Sequence, residues 1–367
     1  MPEIESTFPQ MEEKVMTQFN AATGLAEGSF GIGTYAHGGK AFPGLVQPDG
    51  TVFDLSEMYS DTHAIFDDWD RALDKLADLA AKGGETGIRF EAVECLPPVA
   101  HPNMLCAGSN YRQHVAEMMT HNKFNQHRRK PGESDESFFE RNLAEVDRRA
   151  REGAPFFWTG LHSSLTGANA DIPMPIVGEH HDWELEFGVI VARSERYVKP
   201  EDANHLIAGY VMVNDLGSVD EATRPDTRFE FDWISKHQPN FKPTGPFIVP
   251  KQFVDRSQVR IHLRHNGETM QDWPISDMIF PPEQLLSYAS ERIRLMPGDL
   301  LITGSPPGNG AMHGGRWLKP GDVMDSEVTF LGRQHNKCVE DVEGKERGYH
   351  FGPFTKMWER FRAQEEA

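Results

Sequence analysis

Apolar residues in this chain gather in short runs between turn residues rather than in long amphipathic stretches. Phe187 to Val191 and Tyr210 to Val213 are such runs and read as β-strands. Phe30 to Leu55 holds shorter β-type runs broken by Gly, with Pro48-Asp49-Gly50 as a hairpin signal. A helical period links Ile65, Trp69, Leu73, Leu76 and Leu79 and predicts a helix over 62–81, stopped by Gly83-Gly84. From about Asn103 onward, short strands punctuated by Pro and Gly suit a curved roll or barrel better than alternating βα units. The class expected is α+β, mostly β. Residues 1–96 would form a small N-terminal α+β domain behind a loosely helical lead-in, and 97–345 the larger domain. A tail over 346–367, carrying Phe351, Phe354, Met357, Trp358 and Phe361, is expected to dock as a short helix. A charged segment at 121–151 interrupts the strands, with a helical stretch through Phe138, Phe139, Leu143 and Val146. Inserts of that kind serve as lids or interaction arms, or are tolerated surface additions.

With 367 residues the chain can bury a sizeable core, and 38% apolar content is enough for a globular protein. A net charge of −19 opposes the basic footprint that nucleic acid requires, and only Arg128 to Lys130 runs against it. Cys95, Cys106 and Cys338 form neither a CxxC pair nor an even disulfide set, which fits a reducing compartment. No apolar window is long enough to span a bilayer, and the start Met1-Pro2-Glu3-Ile4-Glu5 lacks a signal-peptide pattern. A cytoplasmic protein acting on a small molecule, without nucleic-acid or membrane partners, is the expectation.

Candidate chemistry centres on Glu184 and Glu186, which open the apolar run to Val191. Alternate residues of a strand share a face, so these carboxylates lie side by side, and two buried carboxylates need a compensating cation. Alone, the pair better fits the solvated face of an edge strand. A second apolar run, Gly209 to Asn214, ends on Asp215, and a third oxygen donor there would complete a hard-cation site of the kind Mg²⁺ or Mn²⁺ prefers. Upstream, His114 and Glu117 stand at i and i+3, so the carboxylate could orient the imidazole as a base for water, or the two could be a surface pair. Pro297 to Gly308 is a β run opening into a small-residue loop whose amides could bind an anionic oxygen. Gly31-x-Gly33 lacks the third glycine of a dinucleotide fingerprint, no Gly-x-Ser-x-Gly is present, and His180 and His181 would face opposite ways.

Taken in order, Gly108 to Glu117 (Gly-x-Asn-Tyr-x-x-His-x-x-Glu), Glu184 with Glu186, Asn214-Asp215, Lys236 with Gly245-Pro246, Asn266-Gly267-Glu268 with Gln271, and Pro297 to Gly304 resemble the fumarylacetoacetate hydrolase family over roughly 103–340. The resemblance implies a mixed β-roll fold, usually dimeric, binding Mg²⁺, Mn²⁺ or Ca²⁺ through Glu184, Glu186 and Asp215. It makes His114 and Glu117 the base dyad, Lys236 a stabiliser of developing negative charge, and Tyr111, Thr303 and Gly304 substrate contacts. Departures mark a divergent member. Val219-Asp220 stands where an Arg-Asp pair is usual, leaving Arg224 as a candidate to reach the substrate instead. Pro239 replaces a common Asp, Ser305 a usual Thr, and Trp158-Thr159-Gly160 a frequent Phe-x-Lys. The activity expected is metal-dependent hydrolysis of a C–C bond in a 1,3-dicarbonyl or acylpyruvate-like 2-oxo acid, in catabolism of aromatic or related compounds. Decarboxylation, isomerisation or hydration by the same metal–enolate chemistry, and a non-catalytic metal-binding scaffold, are the alternatives.

Overall fold

The strand Leu185–Val191 is buried at every position, which is why its sequence is apolar throughout instead of alternating. It pairs antiparallel with the equally buried Ile207–Asn214 on one side and with Leu300–Ile302 on the other. Leu300–Ile302 runs parallel to Met104–Gly108, and the sheet then reaches Phe156–Gly160 at one edge. On the other side it continues through Lys242–Thr244 to Leu165–Gly167. Parallel and antiparallel pairs therefore share one eight-stranded sheet. The computed structural model describes residues 19–83, 87–121, 123–221 and 235–347. The lead-in up to 18, Arg224 and the tail from 348 lie outside the described residues.

A second sheet has five strands in the order Glu268–Pro274, Arg260–His265, Val323–Val328, Arg333–Glu340 and Ile172–Met174. Its Ile261, Leu263, Met324 and Val328 share one buried cluster with Leu185, Phe187 and Met212 of the large sheet. This is the mixed, mostly-β architecture that the punctuated strand pattern predicts.

Strands between Gly31 and Leu96 build a five-stranded sheet around Gly31–His37, with the expected turn at Gly50, whose φ is 84°. Ile32 and Ile248 exchange backbone hydrogen bonds of 2.8 and 2.7 Å, tying this sheet to the larger part of the chain. The helix expected over 62–81 is two helices, Thr62–Asp67 and Trp69–Lys82, with Asp68 at φ −124°, ψ 42° between them. Ile65, Phe66, Trp69 and Leu76 share a buried cluster with Met104, Ile190, Leu300 and Ile302, so the N-terminal segment covers the other face of the large sheet. One continuous core spans residues on both sides of position 96.

The charged insert packs on the helix that follows Tyr111. Its helix Asp135–Glu152, capped by Ser134, lies along the helix Arg112–His121 that bears His114. Asn142 donates to the Thr120 hydroxyl at 3.1 Å, Arg112 makes a bidentate pair with Asp147 at 2.5 and 2.9 Å, and Arg149 donates to the Ser109 carbonyl at 2.8 Å. Phe138 is buried with the guanidinium groups of Arg129 and Arg141 over its ring.

Candidate metal centre

The register of two central strands assembles the acidic group. Leu185 pairs with Asn214 and Glu186 with Val213, and just beyond the ladder Asp215 donates its N–H to the Glu184 carbonyl at 2.8 Å. The Asn214 side chain accepts from the Glu184 N–H at 3.0 Å, fixing the turn-out of the strand. As a result one oxygen from each of Glu184, Glu186 and Asp215 lies within 4.8 Å of the others. Glu186 and Asp215 are each 2% exposed, whereas the Glu184 side chain retains 29% and forms the open side of the group.

Lys236 sits among them, donating to Glu184 Oε2 at 2.7 Å and to the Asp215 carbonyl at 2.8 Å, with Asp215 Oδ2 at 3.1 Å. Its burial favours the neutral amine, but Asp215 and Glu184 outweigh that and hold its pKa above the usual lysine range. Burial, then Asp215 and Glu184 together, push Glu186 well above the carboxylate range. Burial also raises Glu184, with Lys236 opposing. Asp215 goes the other way: Lys236 and Lys242 overcome its burial and hold it below the ordinary value. Crowded, oxygen-only donors whose ionisation is opposed by one another fit a hard divalent cation, which would relieve the repulsion that raises Glu186.

The loop after Leu300–Ile302 is fastened to the same strand. Gly304 donates its N–H to Glu186 Oε2 at 2.6 Å, and the Thr303 hydroxyl donates to the Phe187 carbonyl at 2.7 Å. Gln271 accepts from the Leu185 N–H at 3.0 Å and donates to the Ser305 hydroxyl at 3.0 Å. Buried Asp182 accepts from the N–H groups of Gly310, at 2.6 Å, and Ala311, at 3.1 Å. Asn110 bridges the carbonyls of Thr303 and Phe280 at 2.8 and 3.0 Å and accepts from the Phe280 N–H.

These bonds engage the residues expected to contact substrate. Thr303 is fully buried with its hydroxyl proton given to Phe187, and the Gly304 amide is given to a carboxylate of the chain itself. Both hold Glu186 and the loop in place. Tyr111 is likewise fully buried, its hydroxyl beside Thr303. His114 is 8% exposed, with Nδ1 buried and lacking a hydrogen-bond partner among the described residues. Burial, then the charge of Lys236, lowers its pKa to about 4, so the ring is neutral. The i, i+3 spacing does not pair it with Glu117: that carboxylate accepts from Gln113 at 2.8 Å instead, one turn earlier on the same helix. Burial raises the Glu117 pKa. Val219 is 42% exposed, and its neighbour Asp220 accepts from the N–H groups of Glu179 and His180. His180 stacks on Trp317 while His181 meets the Ser218 hydroxyl, so the two histidines diverge as their strand position requires.

Lys242 was not singled out by any spacing. It lies on the strand Lys242–Thr244, fully buried, with its ammonium on Asp215 Oδ1. The only sequence signal is a lysine set between Phe241 and Pro243 in an otherwise buried stretch.

Comparison with known proteins agrees with this geometry. Residues 103–339 match the family described as "Fumarylacetoacetate (FAA) hydrolase C-terminal". The chain is 31% identical over 310 residues to a 2,4-didehydro-3-deoxy-L-rhamnonate hydrolase of Sphingomonas sp. (strain SKA58), covering 82% of this chain and 93% of the relative. It is 30% identical over 251 residues to the mitochondrial oxaloacetate tautomerase FAHD2A of Bos taurus, covering 67% and 70%. Among solved structures, the fumarylacetoacetate hydrolase of Exiguobacterium antarcticum superposes with a TM-score of 0.62 at 22% identity, covering 85% of this chain and 100% of that one. Maleylpyruvate hydrolase of Sphingobium sp. SYK-6 gives 0.63 at 19%, covering 84% and 99%. This chain belongs to the fumarylacetoacetate hydrolase family.

Proposed function

We propose that the chain is a divalent-cation-dependent hydrolase that cleaves the C–C bond beside a carbonyl in a 1,3-dicarbonyl or acylpyruvate-like 2-oxo acid. The observation that carries this reading is the convergence of Glu184, Glu186 and Asp215 on one point, flanked by Lys236. Mg²⁺ suits such an oxygen-only set, and Mn²⁺ or Ca²⁺ belongs to the same class. Bound there, the cation would supply Lewis acidity toward the oxygens of a chelating dicarbonyl. The chain's own residues do the rest. Glu184, the exposed member, opens the centre to a ligand, and Lys236 offers an ammonium to the negative charge that develops on a carbonyl oxygen. His114, neutral and with Nδ1 free, takes a proton from the attacking water. The relative named as a hydrolase supports this reading.

A second reading is enolisation of a 2-oxo acid without bond cleavage. It is favoured by the separation of Glu117 from His114, because a single neutral base suffices to move an α-proton, and by the relative named as an oxaloacetate tautomerase. Product analysis with acylpyruvates, β-diketones and oxaloacetate, on protein stripped of metal and then resupplied with Mg²⁺ or Mn²⁺, separates the two. C–C cleavage products are expected. Keto–enol interconversion alone would establish the second reading, and no turnover of any compound would refute both.

A further inference from the structure

Lys242 is completely buried, and an ammonium in that position is costly unless it is paired. Three partners hold it: Asp215 Oδ1, the Lys236 carbonyl at 2.8 Å, and the face of Trp158, whose ring centroid lies 5.1 Å away. Lys236 holds the other oxygen of Asp215, so that carboxylate is gripped from both sides. The three acids with two ammonium groups leave one negative charge unmatched. A divalent cation turns that into one positive charge, which a chelating monoanion such as a 2-oxo carboxylate or an enolate neutralises. If Lys242 were uncharged, the three acids, Lys236 and a divalent cation would sum to zero, and among the described residues this group would itself give no electrostatic preference for an anion. No arginine stands at 219 to provide one, since that position is Val219.

We propose that Lys242 is a specificity-determining residue whose charge gives the cation-loaded centre its selectivity for chelating monoanions over neutral ligands of the same shape. The inference rests on the reading of Glu184, Glu186 and Asp215 as a divalent-cation site. It predicts opposite signs for the two ligands. Removing the ammonium makes the acidic group more attractive to a cation and less attractive, once loaded, to an anion. A charge within several ångströms in a largely buried site changes affinity by about tenfold or more.

The test titrates Mn²⁺ into the wild-type chain, Lys242→Met, Lys242→Arg and Glu184→Ala by calorimetry. Oxamate and its neutral amide, oxamide, are then titrated into each Mn²⁺-loaded protein. Lys242→Met is expected to bind Mn²⁺ several-fold more tightly and oxamate about tenfold more weakly, with oxamide unchanged. Lys242→Arg, retaining the charge, should recover the preference for oxamate. Unchanged or weaker Mn²⁺ binding in Lys242→Met, or equal losses for oxamate and oxamide, would overturn the role given to Lys242 while wild-type binding left the metal site intact. Failure of the wild-type chain to bind Mn²⁺, or retention of binding in Glu184→Ala, would instead refute the site itself. Should Lys242→Met not fold, Lys242→Gln, which keeps an N–H for Asp215 without the charge, decides by the same titrations.

Discussion

Gly304 gives its backbone N–H to Glu186, so a loop on one strand sets the orientation of an acid on its neighbour. Gly304 adopts φ +94°, and a Cβ there would come within 3.1 Å of Asn110 Cβ and 3.2 Å of the Ala107 carbonyl. Gly304→Ala should therefore cost roughly 1–3 kcal/mol of stability through backbone strain. It should also weaken Mn²⁺ binding, because Glu186 loses its aligned donor. Calorimetry and thermal denaturation check this, and wild-type values in both would refute the coupling.

His114 gives stability a defined pH dependence. In the folded chain burial holds its pKa at about 4, below the ordinary value of 6.5. Between those values the unfolded chain binds the proton and the folded chain does not, so stability present above pH 6.5 is lost as pH falls toward 4. His114→Gln should remove that component, worth roughly 3 kcal/mol at its limit. Urea unfolding at pH 7 and pH 4.5 reads it out: the variant should lose less stability on acidification than the wild type. Equal losses would refute the buried, neutral ring.

Asn110 provides three side-chain hydrogen bonds at the junction of the helix start, the Thr303 loop and Phe280. Asn110→Ala leaves two carbonyls and one N–H without that partner in a buried setting, and should destabilise by about 2–4 kcal/mol. Equilibrium denaturation gives the number; a loss below that of an ordinary surface substitution would show that the junction is held by something else.

The insert helix yields a contrast within one element. The Arg112–Asp147 pair is about two-fifths exposed on each side, so its removal should cost at most about 1 kcal/mol. Arg149 is half-buried and donates to the Ser109 carbonyl just before Asn110 and Tyr111, so Arg149→Ala should cost about 1.5–3 kcal/mol. Hydrogen exchange over residues 109–114 should rise for Arg149→Ala and stay unchanged for Asp147→Asn. Equal exchange in the two would mean that the insert does not support that segment.

The parts of the fold that the sequence made legible are those where one physical rule dominates. Leu185–Val191 and Ile207–Asn214 are buried on both faces, and an unbroken apolar run is the direct mark of that. Glu184, Glu186 and Asp215 could be brought together on paper because strand periodicity and adjacency specify them. The hidden parts depend on contacts between distant segments. Lys242 pairs with Asp215 across strands that only the folded sheet brings together, and the one local cue, its place between Phe241 and Pro243, does not name its partner. The break at Asp68 lies within an uninterrupted helical period, and the residues flanking it, Ile65, Phe66 and Trp69, pack into a cluster with distant strands of the large sheet that the period does not show. His114 and Glu117 show the limit of spacing arguments, since Gln113 lies on the same helix and takes the carboxylate.

The hydrogen bond from the Asp215 N–H to the Glu184 carbonyl has an evolutionary consequence. Because the ladder itself sets the spacing of these acids, a one-residue slip in the pairing of the two strands would turn the glutamates away from Asp215 and abolish the centre at a stroke. The paired strands thus pass on the three carboxylates as a unit, whereas an exposed position such as Val219 can change without disturbing their register.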